Sequence, residues 1–402
     1  MGKTSMNILY YLHQFPAIGG IETVTATLAN YFVGRGHGVT IVSHVAKSNA
    51  DKTVALDSRV VVLKMPDTEG VTKRNQEFLR DAVKERKIDV VVFQDSYAEI
   101  DGNLALLKSQ GKVVSVEHNA PYFLTGSAMQ ALSLKNILRN PRRFLGRCRR
   151  AFRDRVRRRF LYDFADRYVL LSNRFFGEFR MMAGLGESHK LRAIPNPMAA
   201  QLQTAERPKQ KEIVFCATLT NLKGCDMLLE VWAMIADVEK DWRLTIVGDG
   251  PQRGELEAFV QARNLPRIKF VGYQSDPSPY FARAKVLAFP SRREGWGLVL
   301  VEAMANGCVP VAFDSYGAVH DIIDDGVNGF VVPAFDLGAF AASLRKLMDD
   351  ANVCAEMQNA AKCKPMEFAV EKVAAKWEQL FAELLGGGGA IVVVCEHSCP
   401  YY

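Results

Sequence analysis

Two carboxylates and a glycine turn lie close together in the run PSRREGWGLVLVEAMA, which begins at residue 290. Glu294 falls in the turn, and Glu302 falls in the helical segment that follows, with its side chain tilted back toward the helix N-terminus. Ionised carboxylates accept hydrogen bonds from sugar hydroxyls, whereas they repel phosphate. The spacing therefore predicts one site for a sugar-containing ligand, although either glutamate alone is more typical of an ordinary surface helix.

The same turn offers hydrogen-bond donors to a phosphate group. Gly295 and Gly297 let the backbone bend between an apolar strand and the helix that begins near Leu298. In an open α/β sheet, ligands bind beyond the carboxyl ends of the strands, where the first N–H groups of a helix are unpaired. A second candidate lies in TLTNLKGCDMLLEVW, where Lys223 and Gly224 precede an amphipathic helix and together suit a diphosphate.

Parallel strands must place these turns side by side. In the second half of the chain, apolar strands are predicted at 212–219, 242–251, 268–273, 285–291 and 308–313. Predicted helices alternate with these strands, which is typical of a doubly wound parallel sheet. The second half is therefore predicted to be a Rossmann-like nucleotide-binding domain.

The first half shows the same alternation. Strands are predicted at 7–15, 39–44, 59–65, 89–95 and 112–118, with helical segments between them. The turn after the first strand contains Gly19, Gly20 and Glu22, and the last of these strands ends in His118. A glycine pair is more often a simple turn than a site, and a histidine at a strand end is also compatible with a structural hydrogen bond.

Length and composition agree with two domains. A chain of 402 residues exceeds what one core usually supports, and prolines on both sides of Asn196 stiffen a connector near 195–210. We therefore expect a cleft between two domains. The predicted division is an N-terminal domain at 1–195, a C-terminal domain at 196–365, a helix at 366–385 and a glycine-hinged tail at 386–402.

Other compositional features narrow the class of protein. No apolar run approaches the ~20 residues of a membrane span, and the first residues lack a signal-peptide pattern, which predicts a cytoplasmic protein. The eight cysteines lie mostly in apolar stretches without zinc spacing, which indicates buried thiols.

The runs PSRREGWGLVLVE, GGIE and LKG resemble the motifs of the retaining glycosyltransferases of family 4, also called glycosyl transferases group 1, and this resemblance extends over roughly 7–385. It implies the GT-B fold, with two Rossmann-like domains facing a cleft. It also implies that Glu294 and His118 contact the donor sugar. By the same resemblance, Glu302 holds the ribose and Lys223 binds the diphosphate.

Further site residues follow from the resemblance. Gly19, Gly20 and Glu22 correspond to an acceptor-side loop, and the helix at 366–385 is expected to cross back to the first domain. The chain departs from the family at Thr218, where an arginine that binds the diphosphate is usual. Arg292 or Arg293 is a candidate to replace that charge.

The resemblance implies transfer of a hexosyl unit from a nucleoside diphosphate sugar, UDP- or GDP-linked, to a glycan or lipid-linked acceptor with retention at the anomeric carbon. Because no aspartate-x-aspartate motif is present, we expect neither a metal nor another cofactor. A nucleotide-sugar epimerase on the same fold, or a non-catalytic sugar-binding or assembly protein, are the alternatives. The pathway is expected to make cell-surface polysaccharide or glycolipid, including lipopolysaccharide.

A strongly basic segment at 135–160 holds twelve Lys and Arg against one Asp, more than the net charge of +7 for the whole chain. Phe144, Phe152, Val156 and Phe160 recur among the arginines at helical spacing, which favours an anionic membrane surface and a peripheral location at its inner face. Nucleic acid is the less favoured partner because no nucleic-acid recognition motif accompanies the basic residues. A solvated helix without any partner is the third interpretation.

Overall fold

The computed structural model describes residues 5–17, 19–46, 55–68, 70–94, 102–121, 141–198, 208–238 and 240–386. The predicted tail beyond 386 and the first part of the predicted basic segment, 135–140, lie outside these ranges. The chain divides into two compact units, one formed by the N-terminal part up to Pro195 together with the helix from Val373, and the other by Asn196–Lys372.

The first unit is built on a parallel sheet whose strand order is β3-β2-β1-β4-β5-β6-β7 in its described residues. The strands are β1 Asn7–Gln14, β2 Gly38–Val45, β3 Val61–Lys64, β4 Val90–Phe93, β5 Lys112–Glu117, β6 Arg167–Leu170 and β7 Leu191–Ala193. The helices are α1 Gly20–Gly34, α2 Lys73–Glu85, α3 Gly102–Lys108, α4 Pro141–Phe164 and α5 Phe176–Ala183. The central strands are almost wholly buried, because helices cover both faces of a doubly wound sheet.

The second unit repeats this architecture with the strand order β10-β9-β8-β11-β12-β13 in its described part. The strands are β8 Gln210–Cys216, β9 Arg243–Val247, β10 Ile268–Gly272, β11 Ala284–Phe289, β12 Val309–Phe313 and β13 Phe330–Val332. The helices are α6 Cys225–Ile235, α7 Arg253–Ala262, α8 Ser278–Arg283, α9 Leu298–Ala305, α10 Val319–Ile322, α11 Leu337–Asp349 and α12 Ala351–Cys363. Both sheets are parallel, which confirms the predicted pair of Rossmann-like domains.

The last helix, α13 Val370–Leu384, packs on the first unit from Val373 onward. The ring of Phe381 lies 6.0 Å from that of Phe32, and His37 Nε2 lies 3.4 Å from Glu378 Oε1. The carboxylate of Glu378 is buried, and its hydrogen bond to His37 lowers its pKa. The helix is therefore part of the first core although it follows the second unit in sequence.

Helix α4 carries most of the basic segment, and only part of its charge faces solvent. Arg158 is half-buried and donates three hydrogen bonds of 2.8–3.2 Å to the buried carboxylate of Glu117, which also accepts one from Tyr168 Oη at 3.0 Å. Arg159 pairs with Asp163 one turn later at 2.8 Å. Arg158 is thus an internal ion-pair residue, although it belongs to the basic segment at 135–160 that was predicted to meet an anionic surface. Among the described helices, none is long and apolar enough to cross a membrane.

Candidate functional site

The loops that follow β8, β9 and β11 meet at the carboxyl edge of the second sheet. Gly248 follows β9 with a φ of +140°, and a Cβ built there would lie 1.9 Å from the carbonyl oxygen of Ala217. The N–H of Leu219 donates to the carbonyl of Asp249 at 2.9 Å. Because β8 and β9 are neighbours in the sheet, the loop that carries Thr218 packs against the loop after β9, which contains the run VGDGP at 247–251. Only glycine fits at position 248, where the two loops cross.

The turns after β8 and β11 are also in direct contact. Gly224 has a φ of +72°, and a Cβ built on it would lie 2.0 Å from the carbonyl oxygen of Pro290. The backbone N–H of Arg292 donates to the carbonyl of Leu222 at 2.8 Å. The two motifs that the sequence analysis treats separately, LKG and PSRREGWG, are thus one structural site.

Lys223 and Glu294 form an ion pair across these two turns, with Lys223 Nζ donating to Glu294 Oε1. Ser291 Oγ donates to the same carboxylate oxygen at 3.2 Å. Both charged side chains are partly accessible, with 30% of Lys223 and 13% of Glu294 exposed. A partly exposed ion pair is held weakly, so an anionic ligand can replace Glu294 as the partner of Lys223.

Helix α9 begins at the same place and presents its N-terminus to the turn. Its N-cap is Gly297, which has a left-handed φ of +93° and offers no side chain to cap the helix. A Cβ built there would lie 2.8 Å from Tyr316 Oη, which donates to the carbonyl of Trp296 at 3.1 Å. Among the described residues no side chain caps this helix end, and the N–H of Leu300 donates to the carbonyl of Gly297 at 2.9 Å. The N–H groups of Leu298 and Val299 therefore suit a phosphate ligand.

Glu302 lies one turn inside α9 and is half-buried. Burial, with a further contribution from the charge of Asp276, raises the pKa of its carboxyl to about 7. Burial raises the pKa of the Cys216 thiol, at the end of β8, to about 12. The charge of Glu302 makes a smaller contribution to this increase. Within the described ranges, the Glu302 carboxylate has no hydrogen-bond or ion-pair partner, which leaves its oxygens available to ligand hydroxyls.

Arg292, one of the two candidates to replace the missing positive charge at Thr218, pairs with a carboxylate of the chain itself. Its guanidinium makes two hydrogen bonds to the Asp226 carboxylate, at 2.7 and 2.6 Å, and one to the carbonyl of Asn221 at 2.6 Å. Thr218 and Arg293 are both exposed at this edge of the sheet. The charge of Arg292 is therefore matched by a carboxylate within the chain, and contact of Arg293 with a diphosphate stays a prediction.

In the first unit, His118 follows β5 and contacts the residue that follows the neighbouring strand, β4. Its Nε2 lies 2.5 Å from Oε1 of Gln94, so Nε2 carries the proton that is donated to the amide oxygen. His118 Nδ1 is buried and has no hydrogen-bond partner among the described residues. Burial lowers the pKa of His118 to about 4, so the ring is neutral at physiological pH.

The glycine-rich turn after β1 is held by the first helical turn of α1. Glu22 is buried, and its Oε1 accepts a hydrogen bond from Gln14 Nε2 at 2.9 Å. A Cβ built on Gly19 would lie 2.2 Å from Glu22 Oε2, so the carboxylate folds over this glycine, whereas Gly20 is exposed. Glu22 is thus engaged within its own turn, and its predicted role toward an acceptor stays a prediction.

The structure gathers Lys223, Glu294 and Glu302 at the carboxyl edge of the second sheet, whereas His118 follows a strand of the first sheet. The structure also adds three residues that sequence reasoning missed. Ser291 and Asp226 lie beside Lys223 and Glu294, and Gln94 holds His118. Ser291 is part of the motif itself, whereas nothing local identifies the roles of the other two. No group of three or more potential metal ligands is found in the part of the chain that the structure describes.

Two Rossmann-like units built on parallel sheets, with an ion pair and a helix N-terminus at the carboxyl edge of the second sheet, have the architecture of the GT-B fold. Residues 18–201 match the family model described as Glycosyltransferase Family 4, and residues 200–364 match the one described as Glycosyl transferases group 1. The chain belongs to this family, which confirms the resemblance seen in the sequence.

Known proteins similar to this chain include transferases that act on glycans. An uncharacterized glycosyltransferase of Haemophilus influenzae is 23% identical over 376 residues, which are 92% of this chain and 98% of the relative. A Campylobacter jejuni N-acetyl-D-galactosaminyltransferase, whose name specifies a glycan on PP-undecaprenol, is 28% identical over 44% of this chain and 49% of its own. The crystal structure of Anabaena Alr3699/HepE in complex with UDP and glucose has a TM-score of 0.72 at 18% identity and covers 94% of this chain and 100% of that protein.

Proposed function

We propose that this protein is a retaining hexosyltransferase that uses a UDP- or GDP-sugar and a glycan or lipid-linked acceptor in the synthesis of cell-surface polysaccharide or glycolipid. The observation that carries the proposal is the Lys223–Glu294 pair beside the open N-terminus of α9. This site combines a cation for a diphosphate with a carboxylate for a sugar. The names of the relatives support a polymeric or lipid-linked acceptor.

The donor half of the reaction follows from these residues. Negative charge develops on the diphosphate as its bond to the sugar breaks, and Lys223 with the N–H groups of α9 is placed to stabilise that charge. Diphosphate binding offers Lys223 a more highly charged partner than Glu294. The displaced Glu294 then accepts hydrogen bonds from the donor sugar, while the unpaired carboxylate of Glu302 binds the ribose hydroxyls.

His118 acts in this proposal as a neutral group that contacts the donor sugar. With its proton held on Nε2 by Gln94, Nδ1 has a free lone pair and accepts a hydrogen bond from a sugar hydroxyl. Neutrality matters because an imidazolium would repel the positive charge that develops on the sugar ring in the transition state. We propose that the charge on the diphosphate is met by protein groups alone, without a divalent metal.

The exposed part of α4 supports a peripheral membrane location at the inner face. Phe152 is 69% exposed and Val156 is 52% exposed, one helical turn apart on the same helix. Arg149, Arg153 and Arg155 are exposed beside them. Apolar side chains flanked by arginines suit the interface of an anionic bilayer, where a lipid-linked acceptor would be found.

A panel of nucleotide sugars tests the proposal. The chain is incubated with each donor, with and without a lipid-linked glycan acceptor, and release of nucleoside diphosphate and the anomeric configuration of the product are measured by NMR. We expect release to increase with the acceptor and the product to keep the donor's configuration. Interconversion of donors without acceptor would identify an epimerase, and binding without turnover would identify a non-catalytic sugar-binding protein.

A further inference from the structure

The groups assigned to the donor stand on two separate turns, so their relative position needs a structural cause. Lys223 precedes α6 and Glu294 follows β11, and 71 residues separate them in sequence. Electrostatic stabilisation of a leaving group depends on the placement of the charges to within a fraction of an ångström. The turns must therefore be locked to each other by contacts other than the ion pair, because the ligand itself breaks that pair.

Arg292 supplies such contacts from the second turn to the first. Its backbone N–H donates to the carbonyl of Leu222 at 2.8 Å, and its Nη1 donates to the carbonyl of Asn221 at 2.6 Å. Both acceptors directly precede Lys223 in the 3-10 turn Asn221–Lys223. One arginine thus bonds to the peptide units that orient the lysine.

Both terminal nitrogens of the Arg292 guanidinium also bond to Asp226 in the first turn of α6. Nη1 donates to Oδ1 at 2.7 Å and Nη2 donates to Oδ2 at 2.6 Å, which is the bidentate fork that arginine and carboxylate form best. Burial is the largest single effect on the Asp226 carboxyl and opposes its ionisation. The hydrogen bonds and charge of Arg292, together with hydrogen bonds from the backbone, nevertheless lower the pKa of this carboxyl overall. The side chains are 26% and 35% exposed, so solvent screens the pair only in part.

Backbone packing at Gly224 shows how closely the turns are joined. A Cβ built at this position would lie 2.0 Å from the carbonyl oxygen of Pro290 and 2.8 Å from the Met227 side chain. Gly224 lies between Lys223 and Asp226, and Pro290 is two residues before Arg292. The hydrogen bonds of Arg292 therefore span a junction that has no spare room.

We propose that Arg292 and Asp226 form a clasp that positions Lys223 and Glu294 for catalysis, and that Arg292 is a positioning residue rather than a ligand of the diphosphate. The inference rests on the proposed function of the same site. Three hydrogen bonds, two of them to a carboxylate, hold both terminal nitrogens of the guanidinium against the first turn and α6. Arg292 thus connects the two turns instead of filling the position left uncharged by Thr218.

The test is a double-mutant cycle with Arg292→Gln, Asp226→Asn and the two together. Each single substitution breaks the same clasp, so each should lower kcat by about 10- to 10²-fold, the cost of misplaced catalytic groups. The double variant should be no worse than either single variant. The dissociation constant of UDP or GDP, whichever the native chain binds, should change much less than kcat. Arg345→Gln, which removes a surface Arg–Asp pair in the same unit, is the matched control.

A phosphate ligand would behave differently from a clasp. In that case Arg292→Gln would weaken nucleotide binding, whereas Asp226→Asn would free the guanidinium and leave binding unchanged or tighter. Opposite effects of the two single variants on nucleotide affinity, or additive losses of kcat in the double variant, would overturn the clasp.

A second readout separates this inference from the proposed function. Amide hydrogen exchange should become faster at 217–224 and at 290–297 in both single variants, and it should stay unchanged in Arg345→Gln. Unchanged exchange in both turns overturns the clasp even if the chain is an active transferase. A native chain that neither binds nor turns over any nucleotide sugar overturns the proposed function instead.

Discussion

At the scale of single residues, the raised pKa of Glu302 makes the stability of the protein depend on pH. Its carboxyl has a pKa of about 7 instead of 4.5. A raised carboxyl pKa means that the folded chain binds more protons than the unfolded chain between these two values. The contribution to the free energy of unfolding is therefore full below pH 4.5 and is lost as the pH rises through about 7.

Nucleotide binding should reverse this shift at Glu302, because ribose hydroxyls donate to the ionised carboxylate. We expect proton release on binding near neutral pH and a higher affinity at alkaline pH. Calorimetric titration in buffers of different ionisation enthalpy measures the released protons. Glu302→Gln should abolish the release, and Glu302→Ala should weaken binding by about 1.5–3 kcal/mol.

The control is Glu230→Gln, on an exposed face of α6, which should behave as the native chain. If Glu302→Gln releases as many protons as the native chain, Glu302 does not bind the ribose.

Lys223 and Glu294 should respond differently to substitution because the proposed function assigns the leaving group to Lys223 and the sugar to Glu294. Lys223→Ala removes a charge that stabilises the transition state, so turnover should fall by about 10²-fold or more. Glu294→Ala leaves Lys223 without its resting partner, so affinity for the free nucleoside diphosphate should stay equal or increase while sugar transfer is lost. Binding and turnover are measured separately, with Lys211→Ala, from an exposed pair with Asp241, as control. Weaker diphosphate binding by Glu294→Ala would contradict the exchange of partners.

At the scale of elements, α4 combines a structural face with an exposed basic face. Arg158 belongs to the structural face, where loss of one partner of a buried ion pair costs about 3–5 kcal/mol. Substitution of Arg158 would therefore test folding rather than membrane binding. Arg149, Arg153 and Arg155 are exposed and suit the membrane experiment.

The membrane prediction is tested by co-sedimentation with vesicles of rising anionic-lipid content. Each exposed basic residue near an anionic surface contributes about 1 kcal/mol, so a variant with Arg149, Arg153 and Arg155 changed to Gln should bind roughly 10²-fold more weakly. Salt should release the native chain, and neutral vesicles should bind it poorly. The control variant loses the same charge at three exposed arginines elsewhere, Arg59, Arg263 and Arg345. Equal sedimentation of the two variants would make α4 an ordinary solvated helix.

At the scale of the whole molecule, the prediction concerns the source of the charge that stabilises the diphosphate. If Lys223 and the N-terminus of α9 suffice, turnover should persist in excess EDTA. The assay compares initial rates with EDTA, with EDTA and then magnesium, and without either. Loss of turnover in EDTA that magnesium restores would show that a divalent metal takes part.

Much of the architecture was predictable because it depends on local patterns. Apolar runs bounded by glycine turns identify β8, β9 and β11 in the sequence, and the structure confirms two Rossmann-like parallel sheets. The helix after Gly297 was also predictable, because a run such as LVLVEAMA after a glycine turn is typical of a helix that starts there. The motif residues Lys223 and Glu294 could be named for the same reason, since their immediate neighbours carry the signal.

Only the tertiary structure decided which side chains meet. The partners are far apart in sequence: 66 residues separate Arg292 from Asp226, and 41 separate Arg158 from Glu117. Their contacts depend on the order of the strands in each sheet. The periodicity of apolar residues does not encode this order, because it shows which side chains are buried and not which strand lies next to them. The sequence therefore made Arg292 a candidate phosphate ligand, whereas the fold placed its guanidinium against the Asp226 carboxylate.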